Sequence, residues 1–202
     1  MDLVSRSQQN RRRFAILLII IESMVLIVMG YFYREKPESN DYNIQEFYPK
    51  LQDANAMILI GFGFAYTFMK RFQLTALCYI FFMHALGSQL YLILRLFWID
   101  VFEIGWGDGK LYFVERFFTG SFFSMASLLM GQGVILGRTG PLELVIFTFI
   151  GEIGYSLNEE ITLRILKMYD YGGSTSIHAF GAYLGLATSF VLYKKHPTPL
   201  KI

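Results

Sequence analysis

Residues 170–185 read Asp170-Tyr171-Gly172-Gly173-Ser174-Thr175-Ser176-Ile177-His178-Ala179-Phe180-Gly181-Ala182-Tyr183-Leu184-Gly185. Two glycines punctuate the chain, and the apolar run behind them carries one ionisable side chain, His178. Asp170 stands where an N-cap would. Its carboxylate can accept from the free N–H groups of the following turn and suits the positive end of a helix dipole. His178 lies eight residues further on, roughly 12 Å deeper at about 1.5 Å per residue, well inside a hydrocarbon core about 30 Å thick. A neutral imidazole there offers one donor and one acceptor, enough to line a narrow path for a small polar molecule. It can equally be a buried histidine bonding a neighbouring helix, and Asp170 can be a cap and nothing more. Gly181 and Gly185 form a GxxxG face, which lets another helix backbone approach closely.

The rest of the chain supports reading this run as one of several membrane helices. Of its 202 residues, 54% are hydrophobic and 17% charged, with a mean hydropathy of +0.41. Soluble domains carry about a quarter charged residues, so a disordered chain, a collagen-like chain and an ordinary soluble enzyme are all excluded. A net charge of +2 is too small to argue for nucleic acid as a partner. The single cysteine, Cys78, leaves no intrachain disulfide and no cysteine cluster for zinc.

A membrane helix needs about 20 apolar residues, and the chain offers six such runs: 14–32, 54–69, 74–98, 117–136, 142–157 and 174–193. The first follows Arg11-Arg12-Arg13 as a signal peptide would. It is too long for one and has no small-residue cleavage site, so it reads as a retained helix. Between the runs lie a polar stretch over 34–53 with Pro37 and Pro49, an acidic glycine-containing loop over 100–109, and an amphipathic stretch up to Met168.

The charges give the orientation. With the N-terminus in the cytoplasm, the inner segments hold Arg6 and Arg11 to Arg13, then Lys70-Arg71, Arg138, and Lys194, Lys195 and Lys201. In each outer loop the acidic residues outnumber the basic ones. Every segment takes the sign of the positive-inside rule, so both termini are expected in the cytoplasm. The expected fold is an all-α polytopic membrane protein with about six transmembrane helices in contact with the lipid bilayer.

Ionisable residues at membrane depth are candidates for function. Besides His178 these are Glu22, His84 and Glu152. His84 follows Tyr79, Phe81 and Phe82 and reads as a packing or helix-bridging residue. Glu22 and Glu152 each need a partner. Phe122-Phe123 either closes a pore or packs, and Gly61-Phe62-Gly63-Phe64 reads first as close helix contact. His84, His178 and Glu152 lack the tight spacing of a metal site, which argues against a membrane metalloenzyme; no metal or other cofactor is expected.

The segment Asp170-x-Gly-Gly-Ser-x-x-Ile-His178-Ala-Phe-Gly-Ala-Tyr-x-Gly185 resembles the Rh (Rhesus) glycoprotein branch of the ammonium transporter family. So do Phe47-Tyr-Pro-Lys-Leu-Gln-Asp53, Met57-Ile-Leu-Ile-Gly-Phe-Gly-Phe64 and Thr67-Phe-Met-Lys70. Gly133-Val-Ile-Leu-Gly-Arg138 and Asn158-Glu159 fall where that family has similar stretches. The resemblance covers nearly the whole chain. It implies transmembrane transport of ammonium or ammonia, with carbon dioxide as a further candidate, by a plasma-membrane protein that is a homotrimer in its full-length form and not an enzyme. Each subunit of such a trimer has its own pore, in which ammonium loses its proton and passes as ammonia. His178 matches the first of two facing pore histidines, Asp170 the acidic residue near the outer mouth, and Phe123 one phenylalanine of the outer gate.

The family is built from two inverted repeats, with sites between them, and has about twice this length. The resemblance therefore implies that residues 14–33 are an extra N-terminal helix and 54–193 the five helices of the first repeat, so that the chain is the N-terminal half of the fold. The second pore histidine and second gate phenylalanine fall in the other half, and His84 is on the wrong helix to replace that histidine. A non-conducting membrane subunit that associates with full-length relatives is the alternative expectation.

Overall fold

Glycine and proline divide this apolar chain into helices. The computed structural model describes residues 2–32, 34–35, 44–68, 72–102, 112–113 and 115–195. Among these are six α-helices: α1 (Asp2–Phe32), α2 (Ile44–Thr67), α3 (Gln73–Phe102), α4 (Glu115–Ile135), α5 (Pro141–Glu159) and α6 (Phe180–Lys195). One parallel pair of two-residue strands joins β1 (Arg34–Glu35) to β2 (Tyr112–Phe113). The turn from α4 to α5 shows how an end is made. Gly137 takes a left-handed φ of 81°, and the Arg138 N–H donates to the Ile135 carbonyl at 3.0 Å. Pro141 then opens α5 at a position that needs no donor, and Glu143 accepts from the Gly140 N–H at 3.0 Å.

Two helix boundaries differ most from the sequence expectation. α1 begins at Asp2, so Arg11 to Arg13 lie inside it. α2 begins at Ile44 and encloses Pro49, which the sequence places in a loop. Pro49 sits in the second turn, where it forfeits one main-chain bond and its ring meets one carbonyl; the flanking residues carry the helix through. Residues 36–43, Lys70-Arg71, the acidic loop over 103–111 and the segment from 196 onward lie outside the described residues.

The fold is all-helical and of a membrane type. Among the described residues, four helical segments are long and apolar enough to cross a bilayer: Arg12–Tyr31, Gln73–Phe102, Phe117–Ile135 and Tyr171–Tyr193. α2 falls short because Glu46, Lys50 and Asp53 occupy its first turns, and α5 because its 19 residues include Glu143, Glu152 and Glu159. At the centre stands α4, with Ser121, Ser124, Met125, Ser127, Leu128 and Leu129 all buried. It packs against α2, α3, α5 and α6.

The seam with α6 is the closest. A Cβ on Gly181 would lie 2.4 Å from the Ser127 carbonyl oxygen, and one on Gly185 would lie 3.0 Å from the Gly131 Cα. Backbone meets backbone there, as small residues allow. α1 lies outside, with Val25 packed near Leu86 and Leu90 of α3 and most of its other apolar residues exposed.

Candidate functional site

The site begins where α5 and α6 depart from regular helix. α5 runs on into a π turn over Glu160–Ile165, with the Leu166 N–H donating to the Ile161 carbonyl at 2.9 Å. The chain then folds through Asp170 into a 3₁₀ turn (Tyr171–Gly173) and a second π turn (Ser174–Ala179) that leads into α6. Gly172 and Gly173 hold φ angles of 74° and 69°, a left-handed region open to glycine at little cost.

This detour changes which groups Asp170 caps. Its Oδ2 accepts from the Ser176 hydroxyl at 2.7 Å and the Ser176 N–H at 2.8 Å, and its Oδ1 accepts from the Thr175 N–H at 3.1 Å. The partners lie five and six residues on, because the two glycines insert an extra turn. The hydroxyl and then the amides of this cradle hold the Asp170 carboxyl below the ordinary carboxylate range. The charge stays on the oxygen atoms.

Above the cradle opens a cavity of about 710 Å³ between α2, α4 and the segment that links α5 to α6. Its walls are mostly apolar, with Ile58 and Phe62 from α2 and Phe123 and Met130 from α4, and its acidic and imidazole groups are Glu159, Asp170 and His178. The three residues expected along a substrate path, Asp170, Phe123 and His178, thus line one cavity. His178 is exposed on its wall rather than buried among neighbouring helices. The carbonyl of Ile177 beside it accepts from the Ser127 hydroxyl at 2.9 Å, which fixes the second π turn to α4. π turns recur at functional positions because the extra residue re-aims side chains.

The other residues singled out in the sequence separate from this group. Phe122 turns away from Phe123 and stacks on His84, with centroids 5.3 Å apart and rings at 22°. Gly63 approaches the Leu77 side chain, where a Cβ would lie 3.3 Å from Cδ1. Gly61 makes no such contact: a Cβ there meets nothing within 4 Å, and the residue lines the cavity. The close helix contact expected at Gly61 is not made among the described residues. Glu152 is fully buried and accepts from the Ser124 hydroxyl at 2.6 Å. Among the described residues no group of three or more His, Cys, Asp or Glu side chains has the arrangement to hold a metal ion.

Sequence reasoning missed Glu159 as a cavity residue, and with it the basic partner on α3. Tyr91 donates its hydroxyl to Glu159 Oε2 at 2.6 Å, and Arg95 Nη1 lies 3.8 Å from the same oxygen. The available signal was Arg95 itself, a charge inside the apolar run 74–98. Such a charge is costly unless an acidic partner faces it.

Comparison with known proteins gives a consistent picture. The pattern of the Ammonium Transporter Family matches residues 14–200. The chain is 32% identical over 206 residues to ammonium transporter Rh type B of Xenopus tropicalis, covering 93% of this chain and 43% of that protein. It is 38% identical over 160 residues to ammonium transporter Rh type C-like 2 of Danio rerio, covering 77% of this chain and 30% of that one. It is 30% identical over 201 residues to ammonium transporter Rh type C of Bos taurus, covering 91% and 42%. The chain therefore spans less than half the length of these relatives.

Proposed function

This chain belongs to the ammonium transporter family, and on that premise we propose that it serves the passage of ammonium across a membrane in the form of ammonia. The observation that carries the reading is the convergence of Asp170, Phe123 and His178 on one apolar cavity. Glu159 and the ionised Asp170 attract a small cation to the polar end. A cation entering the apolar part loses hydration that no single carboxylate offsets, whereas neutral ammonia does not carry that cost. The proton is left behind, and the imidazole of His178 offers the neutral molecule one donor and one acceptor. Phe123 narrows the way in. In this reading the six helices all cross the bilayer, both termini face the cytoplasm, and the protein resides in the plasma membrane. Residues 54–193 supply the first repeat behind the extra helix of 14–33, in an assembly that is trimeric, and carbon dioxide is a second small neutral molecule to assay.

The test is a stopped-flow pH transient in proteoliposomes. An ammonia-dependent transient should be present in the protein and slowed several-fold by His178→Ala at equal protein content. An absent transient in the full-length protein, or one unaltered by the substitution, sinks the proposal. A second reading draws on the exposure of His178, which leaves one side of the cavity open. Here the chain is a non-conducting subunit that pairs with longer family members. Co-purification with such a partner, without flux by the chain alone, is its expected result.

A further inference from the structure

Phe123 faces the cavity while both of its neighbours in the chain are held elsewhere. Successive residues of a helix point about 100° apart, so a side chain is aimed once the residues on either side of it are fixed. On one side, Phe122 stacks on His84 of α3, with centroids 5.3 Å apart and rings at 22°. His84 is buried, and its Nδ1 has no hydrogen-bond partner among the described residues, so that nitrogen ties it to no other helix. One turn on along α3, Gly87 admits Met125 of α4, since a Cβ there would collide with the Met125 sulfur. Phe122 and Met125, three residues apart, thus set one face of α4 on α3. On the other side, the Ser124 hydroxyl donates to Glu152 Oε2 of α5 at 2.6 Å. Ser124 and Glu152 are both fully buried, where breaking such a bond leaves each partner unpaired away from water. Phe123, half-buried between these two anchors, lines the cavity.

We propose that His84 and Glu152 are positioning residues for the constriction at Phe123: His84 through Phe122, and Glu152 through Ser124, fix the rotation of α4 so that the Phe123 ring stands across the way in. This rests on the transport reading of the cavity. Neither His84 nor Glu152 lines the cavity, so each acts on a passing molecule only through α4. Ionisable side chains are costly at membrane depth, and this gives both of them a task away from the path. Losing either anchor lets α4 turn or its rings repack, and a ring at the end of a side chain swings further than the backbone that carries it. A looser constriction discriminates less by size. Ammonia and methylamine differ by one methylene unit, for which a close apolar fit discriminates about tenfold or more.

The experiment compares stopped-flow pH transients with ammonia and with methylamine in proteoliposomes of the full chain, and reads the methylamine-to-ammonia ratio. The ratio does not depend on how much of the protein is folded, so a merely weakened fold leaves it unchanged. His84→Ala and Ser124→Ala should each raise it about three- to tenfold. His84→Phe keeps a stacking ring, and the amide oxygen of Glu152→Gln still accepts from Ser124, so both should keep the parent ratio. In a Phe123→Ala background neither alanine variant should raise the ratio further. A ratio that either alanine variant leaves unchanged overturns the proposal, as does a shift that persists without the Phe123 ring. A conservative variant that shifts the ratio as far as its alanine counterpart overturns it too. His84→Leu takes the place of His84→Ala if the latter does not fold. If the chain carries no flux, or if Phe123→Ala leaves the ratio unchanged, the transport reading fails by itself. The placement of the ring is then read by fluorine NMR of para-fluorophenylalanine at position 123 in nanodiscs. His84→Ala and Ser124→Ala should each shift or split the line of the parent, and a line that they do not move overturns the proposal.

Discussion

α1 and α4 are both apolar enough to cross a bilayer, and they differ most in what covers them. The most apolar stretch of α1 is 6% buried within the protein, and that of α4 is 56% buried. The reason lies in residue size rather than hydropathy. α4 carries Gly120, Ser121, Ser124, Ser127, Gly131 and Gly133, whereas the apolar part of α1 is rich in isoleucine, leucine and methionine. Each small residue of α4 admits a neighbour. Gly120 makes room for the Tyr91 ring and Gly133 for the Tyr66 ring, whose hydroxyl donates to the Leu129 carbonyl. Lipid tails are as apolar as leucine, so hydropathy marks a membrane helix and small residues mark the helix that touches protein.

The severest way to break this contrast is to enlarge the α4–α6 seam. Gly181→Leu places a Cβ 2.4 Å from a backbone oxygen of α4, an atom that cannot swing aside. We expect a loss of about 3 kcal/mol or more, the upper range for overpacking, read as a lowered thermal midpoint in detergent. A variant as stable as the parent would show that α6 does not depend on this close approach.

A smaller effect is expected where α6 begins. Asp170→Asn removes the charge that gathers the Ser176 and Thr175 donors, at a cost of about 1 kcal/mol by analogy with helix caps. The pH dependence has a definite sign. The folded carboxyl titrates below its ordinary value, so its stabilisation is fully present above the ordinary carboxylate pKa of about 3.9 and fades as pH falls through the lowered folded value. The gap between the midpoints of the protein and Asp170→Asn should therefore be constant near neutrality and close in acid. A gap that widens on acidification contradicts the cradle.

The sequence reveals the helices and the identity of the cavity residues better than it reveals their surroundings. All six apolar runs become helices, because hydropathy is a property of each run alone. Asp170 and His178 stand out as ionisable groups in an apolar context, yet the detour between them is invisible to a uniform rise per residue: it depends on two left-handed glycines and a π turn. Glu159 and Arg95 escape notice because they are 64 positions apart by their numbers and become partners only when α3 packs on the end of α5. Gly61 and Gly63 show the limit in the other direction. Two glycines in one motif take opposite roles, one against Leu77 and one on an open cavity, according to where the neighbouring helices run.

The smallest effect should come from α1, and it sharpens the comparison through two residues of that helix. Val25 is 7% exposed and packs near Leu86 and Leu90, whereas Ile27 is 71% exposed. Val25→Ala deletes buried methyl groups and should cost about 1 kcal/mol. Ile27→Ala should stay within about 0.5 kcal/mol, as substitutions away from packed contacts do, because the lost methylenes faced a medium as apolar as themselves. Thermal midpoints of both variants in one lipid or detergent decide the matter. Equal losses would mean that another surface covers the exposed side of α1, and that small residues are not what separates a helix held by protein from one held by lipid.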